Sequence, residues 1–280
     1  MPRTAHSESS PLLGHGARQS SSSPSATHRL TTHLKTRINP ARADLLLLLC
    51  YTITGLLDSS AVFIWGSFVS MQTGNTVYLG LGLSGLDESG NQRWLKSLIS
   101  ISSFCAGSFL FALLHHSPVF FSSARQRGAL FASFILQMGC VAVAATIVTL
   151  EEQSTRSDPL TWRVAVPLAL VAFQSSGQAV TSRVVGYGSL TSVVLTSIYC
   201  DLFSYPALAI SSNGGGKRAD EWRRLGAVLA LFLGILLGGA WAKSQVGLQG
   251  ALWTAVVLKG VIAGAWLVWR GEGGDEGDDV

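Results

Sequence analysis

Three ionisable side chains sit inside long apolar stretches of this sequence, Asp58, Asp201 and Lys259, with Arg183 at the edge of a fourth. An ionised group at mid-bilayer costs on the order of 3 kcal/mol, so each needs a partner or water. Two acids and two bases make a neutral set, for example Asp58 with Lys259 and Asp201 with Arg183. Downstream of Asp58 lies Gln72-Thr73-Gly74-Asn75. This run joins a hydroxyl, two side-chain amides and a residue free to take φ > 0, which suits a local break whose backbone coordinates a ligand. Asp58, Gln72, Thr73 and Asn75 could thus line a polar cavity for a small solute or ion, with proton exchange on Asp58. The same residues also suit a second reading, in which a buried pair locks two helices and Asn75 bonds across their interface.

Other chemistry finds less support. His115 and His116 close an apolar stretch without metal-ligand spacing, so an interfacial position is expected and no metal or cofactor is implied. Cys50, Cys105, Cys140 and Cys200 lie far apart inside apolar stretches and read as buried free thiols. Gly214-Gly215-Gly216-Lys217 lacks the spacing of a phosphate loop and reads as a flexible cytoplasmic loop. The Gly-x-Gly-Asp pattern of intramembrane aspartyl proteases is absent, and an enzyme is not expected.

The elements that position these residues follow from composition. Apolar residues make up 48% of the 280 and charged ones only 13%, against roughly 25% charged in soluble chains. Such a chain cannot cover a water-facing surface, so the fold class is an all-α, polytopic helical membrane protein whose first partner is the lipid bilayer. Its net charge of +4 comes from the amino-terminal arm and reads as topology, not as a nucleic-acid footprint. Residues 1–43 are rich in Ser, Thr, His and Arg and are expected to be a disordered cytosolic arm, with 270–280 an acidic disordered tail. Between them, 44–269 forms the transmembrane domain.

Eight apolar stretches fill that domain, at about 45–66, 67–86, 97–117, 128–150, 164–182, 189–210, 225–242 and 248–269. The second and sixth are broken by Gly, Ser, Thr, Asn or Pro206, and can be discontinuous or re-entrant only where protein or water satisfies their backbone. The domain therefore has six to eight membrane segments. Arg3, Arg18, Arg29, Lys35, Arg37 and Arg42 place the amino terminus in the cytoplasm, and an even number of crossings returns the carboxyl terminus there.

The weak stretches come in matching contexts. Asp58 precedes Gly66 by eight residues, and Gln178 precedes Gly186 by eight; Thr73 then corresponds to Thr196 if the second copy carries three extra residues. Two related halves, about 44–150 and 160–269, follow. Interrupted segments at corresponding places in two halves point to a central site in transporter-like folds. Gln178, Arg183, Thr196, Asp201 and Lys259 thereby join Asp58 and the 72–75 run as candidates for binding a small molecule or ion.

Gly55-Leu-Leu-Asp58 followed by Phe68-Val-Ser-Met-Gln-Thr-Gly-Asn75 resembles the signature of the YoaK-like transmembrane proteins, a family of unknown function (domain of unknown function 1275). The resemblance covers about 44–269 and implies a membrane location and six spans. It implies no substrate or reaction. In the second half the family tends to show Gln-Asn-Ala and a second Thr-Gly, where this chain has Gly177-Gln178-Ala179 and Thr196-Ser197. The leading functional expectation is a small-solute transporter or permease, and the alternative is a non-transporting scaffold or accessory subunit. In the arm, Glu8, Leu12 and Leu13 have the spacing of an acidic dileucine sorting signal, so the expected location is the plasma membrane or an endosomal or vacuolar membrane.

Overall fold

The computed structural model describes residues 26–86, 90, 92–117, 121–151, 159–204 and 215–272. Among these the secondary structure is helical: α1 (Ala26–Lys35), α2 (Asp44–Ile64), α3 (Gln72–Leu83), α4 (Arg93–His116), α5 (Arg127–Leu150), α6 (Trp162–Val184), α7 (Thr196–Ser204), α8 (Gly215–Lys243) and α9 (Gly247–Val268). Six of them, α2, α4, α5, α6, α8 and α9, are long and apolar enough to cross a membrane, with 21 to 25 residues in each qualifying segment. At 1.5 Å per residue such helices match a hydrocarbon core of about 30 Å. With 12 and 9 residues, α3 and α7 reach only about halfway. They occupy the two weak stretches, so among the described residues six helices qualify as spans.

Why these two stretches break is visible at their first residues. Helix α2 ends at Gly66, whose φ of 80° lies in the left-handed region and whose N–H bonds back to Ala61 and Val62. Helix α6 ends likewise at Gly186, φ 91°, with Tyr187 N–H reaching the Ser182 carbonyl at 2.8 Å. A side chain is strained at such positions, so glycine stops the helix and turns the chain back. Both returning segments lead inward. The Val69 carbonyl accepts from Ser175, near the middle of α6, and α3 then runs outward until Gly82 meets Trp94 at the start of α4. In the other half Ser192 lies against Tyr51, and α7 runs back until Asp201 meets Arg224 near the start of α8. The two segments thus enter from opposite sides of the bundle.

Span packing is crossed: α2 lies most extensively on α8, α4 on α6, and α5 on α9, with α5 also against α6 and α2 against α9. Small residues set the closest approaches. A Cβ on Gly55 of α2 would strike the backbone of Leu231 on α8, one on Gly234 of α8 would strike the Thr52 backbone, and one on Gly107 of α4 would strike Phe173 of α6. Large apolar side chains such as Phe109, Leu113, Phe232, Leu236 and Val257 stay exposed on the outer faces, as lipid contact requires.

The region expected to be a disordered arm is partly ordered: from Ala26 onward it carries α1 and a stitched strand-like segment. Ile38 N–H bonds Arg125 O (3.0 Å), Asn39 N–H bonds Arg270 O (2.9 Å), and Glu272 N–H bonds Arg37 O (2.9 Å). Arg127 reaches the Trp269 carbonyl, and the Trp269 indole reaches the Asn39 carbonyl at 2.9 Å. The arm's polarity hid this because the partners are backbone groups of distant segments, which composition does not report. Residues 1–25 and 273–280, including Glu8, Leu12 and Leu13, lie outside the described residues. Gly215 to Lys217, expected in a flexible loop, begin α8; a long helix overrides the local cost of glycine.

Candidate functional site

The first returning segment is organised by Asp58. One carboxylate oxygen accepts the Val69 N–H (2.8 Å) and the Ser70 N–H (2.9 Å), and the other accepts the Ser70 hydroxyl. Asp58 is buried, and three donors rather than a cation answer its charge. Asn75, fully buried, closes the segment on itself: its oxygen accepts from Ser67 Oγ and Phe68 N–H, both at 3.0 Å, and its amide donates to Phe68 O at 2.8 Å and Gln72 Oε1 at 2.9 Å. Ser100 of α4 donates to Phe68 O (2.7 Å), and Arg93 donates to Gly66 O (2.5 Å) while lying over the Tyr78 ring. The break expected over Thr73–Asn75 therefore falls earlier, at 66–71. Gln72 to Asn75 are the first turn of α3, because Asn75 and Gln72 satisfy the loop that precedes them. Gly74 packs on the Phe68 ring, and Thr73 is exposed.

A polar seam lies between α2 and α6. The Val69 peptide joins them, giving its N–H to Asp58 of α2 and accepting at its carbonyl from Ser175 of α6 at 2.9 Å. On α2, Thr54 stands one turn before Asp58; on α6, Gln174 stands one turn before Gln178, so each helix carries a polar stripe at i, i+4 spacing. All four are buried. The Thr54 hydroxyl and both glutamine carbonyl oxygens find no hydrogen-bond partner among the described residues, nor do the hydroxyls of Tyr51 and Ser192. Tyr51 points at the Ser192 backbone without closing a bond to it. A buried polar atom left unmatched costs roughly 1–3 kcal/mol; the hydroxyls of Ser60 and Ser97, His115 Nε2 and the Trp266 indole are likewise unmatched among the described residues.

Lys259 of α9 closes the seam from the side of α5 and α9. Its side chain is fully buried, and its ammonium donates to Gln137 Oε1 of α5 at 2.5 Å and faces the Phe134 ring at 5.4 Å. Gln137 in turn lies on Gly177 of α6, where a Cβ would overlap its amide. Cys50, one turn before Thr54, is within electrostatic reach of the ammonium. Lys259 thus joins α9 to α5, and Gln137 carries the contact on to α6.

The remaining candidates lie elsewhere. Asp201 pairs with Arg224 at 3.3 Å, not with Arg183, which is exposed at the end of α6. Asp58 and Lys259 do not pair with each other. Thr196 is exposed at the first position of α7. Cys105 and Cys200 are exposed on helix faces, not buried as expected; Cys50 is buried and Cys140 half-buried. His115 is buried, with Nδ1 at 3.3 Å from Ala124 O. No group of three or more metal-ligating side chains occurs among the described residues.

Sequence reasoning missed Tyr51, Thr54, Ser175 and Ser192, and gave no site role to Gln137 or Gln174. A signal was present for two of these: Thr54 relates to Asp58 as Gln174 relates to Gln178, at the same place in each half. Lys96, at the start of α4, is also fully buried.

Neither the curated proteins nor the solved structures contain a match to this chain. A family model does match, over residues 46–265, a region that reaches into all six spans and includes both left-handed glycines, Gly66 and Gly186. The chain belongs to that family, described as protein of unknown function (DUF1275).

Proposed function

We propose that this protein is a small-solute permease, not an enzyme, whose site lies where two inverted halves meet. The observation that carries this reading is the seam between α2 and α6, where buried polar atoms of Tyr51, Thr54, Gln174 and Gln178 have no partner among the described residues, and neither has the Ser192 hydroxyl before α7. The repeat supports it. Each half runs as a long helix, a left-handed glycine, a short returning helix and two more spans. The first span of each half packs on the second span of the other, α2 on α8 and α6 on α4, while α5 meets α9, as a two-fold relation demands. Three spans per half make that relation an inverted one, with the interrupted segments meeting near the middle. The cationic residues preceding α2 favour a cytoplasmic location for both termini. Glu8, Leu12 and Leu13 would route the protein to endosomal or vacuolar membranes.

Single cysteines in a background where the four native ones are replaced test the reading. Thr54→Cys and Gln178→Cys are expected to react with a small water-soluble thiol reagent, and a protecting solute should slow the reaction. The scaffold reading draws support from the Asp58–Asn75 loop, whose polar groups satisfy one another. It requires a dry interior, so both cysteines would stay unlabelled in the folded protein.

A further inference from the structure

Lys259 and the seam have complementary needs. An ammonium has three N–H donors, and the groups that answer this one are a single neutral carbonyl, Gln137 Oε1, and the face of Phe134. Among the described residues Asp58 is the only buried acid, and its two oxygens are already engaged by Val69 and Ser70. No carboxylate is left to neutralise Lys259. A buried charge without a counter-charge is heavily penalised in hydrocarbon. Cys50, one turn before Thr54 on α2, is within electrostatic reach of the ammonium, and hydroxyls that can donate stand unmatched on Tyr51, Thr54 and Ser192.

We infer that the solute of the proposed site is a small monovalent anion, which supplies the missing counter-charge to Lys259 and takes hydrogen bonds from the Tyr51, Thr54 and Ser192 hydroxyls. This rests on the permease reading and names its substrate class. A cation would meet the Lys259 charge with no free acid to offset it. A neutral solute would leave the ammonium uncompensated. A small anion such as formate or chloride answers both the charge and the unmatched donors.

Full-length protein in proteoliposomes supplies the test, using radiolabelled formate and chloride as anionic probes, urea and glycerol as neutral ones and methylammonium as a cation. Wild-type protein is expected to admit an anionic probe well above empty vesicles and above the other probes. Lys259→Met should reduce that flux by about tenfold or more, as loss of a charge-assisted bond does, and Lys259→Arg should restore part of it. Because a Lys259 variant could fail to fold, Thr54→Val provides a second arm: it removes a hydroxyl with no partner to lose and should raise the KM for the anion severalfold in a monodisperse protein. Flux of urea, glycerol or methylammonium without anion flux would overturn the anion assignment and leave the permease standing. Anion flux untouched in Lys259→Met and Thr54→Val would overturn it too. No flux of any probe in wild-type vesicles would bring down the permease reading and this inference together.

Discussion

Asp58 shows how a charge can be held in a bilayer without a cation. Its carboxylate replaces the helix that the chain abandons at Gly66, by accepting the N–H groups of Val69 and Ser70 that a continuous helix would have satisfied. Asp58→Asn keeps an acceptor for those amides but presents an N–H₂ to the Ser70 hydroxyl. Asp58→Leu leaves both amides unmatched, at roughly 1–3 kcal/mol each. Thermal unfolding in detergent should therefore rank wild type above Asn and Asn well above Leu; equal melting temperatures would show that Asn75, Ser100, Arg93 and Ser175 hold the loop without Asp58. The atoms of the seam predict the reverse sign. Thr54→Val, which removes a buried hydroxyl without a partner, should leave the melting temperature unchanged or higher while transport falls. Asp58 stood out in the sequence because an acid is conspicuous among leucines. Thr54 and Ser192 did not, because hydroxyls are ordinary in membrane helices and only the fold reveals which are left unmatched.

Elements meet here through glycine. At Gly55, Gly234 and Gly107 the opposing backbone is so near that a Cβ would overlap it, and a membrane interior offers no hydrophobic drive to repair a poor contact. Gly55→Val and Gly234→Val should force α2 from α8 and reduce the yield of monodisperse protein. Gly264→Val on α9, where a Cβ meets nothing within 4 Å, is the control and should behave as wild type. If all three variants are equally tolerated, close approach is not what holds these spans. The sequence carried the spans themselves in their length and oiliness, and it marked the two interrupted stretches through Gly66 and Gly186. It did not carry which span lies on which. Glycines occur throughout the chain, and those at crossings look no different in sequence from Gly139 or Gly264, which face open space.

Across the whole molecule, the chain segments before α2 and after α9 are stitched together with the α4–α5 turn. This arrangement was illegible in the arm's composition, since Ile38, Asn39 and Arg270 are joined by main-chain groups that every residue possesses. Arg127→Ala removes the side chain that holds the Trp269 carbonyl. It should lower the unfolding temperature by an amount matching one or two charge-assisted bonds, about 1.5–3 kcal/mol each. Removing residues 1–40 should cost more, and a full-length melting curve retained after either change would mean the stitching is incidental.

That stitching also has a mechanical corollary. Arg127 of the first half holds Trp269 of the second at the rim of the chain ends, while Leu160 N–H on Gln92 Oε1 and the Trp253 indole on Thr149 Oγ1, both at 3.2 Å, fasten the halves at the opposite rim. A rocking motion between them would therefore have to break polar contacts at whichever rim opened.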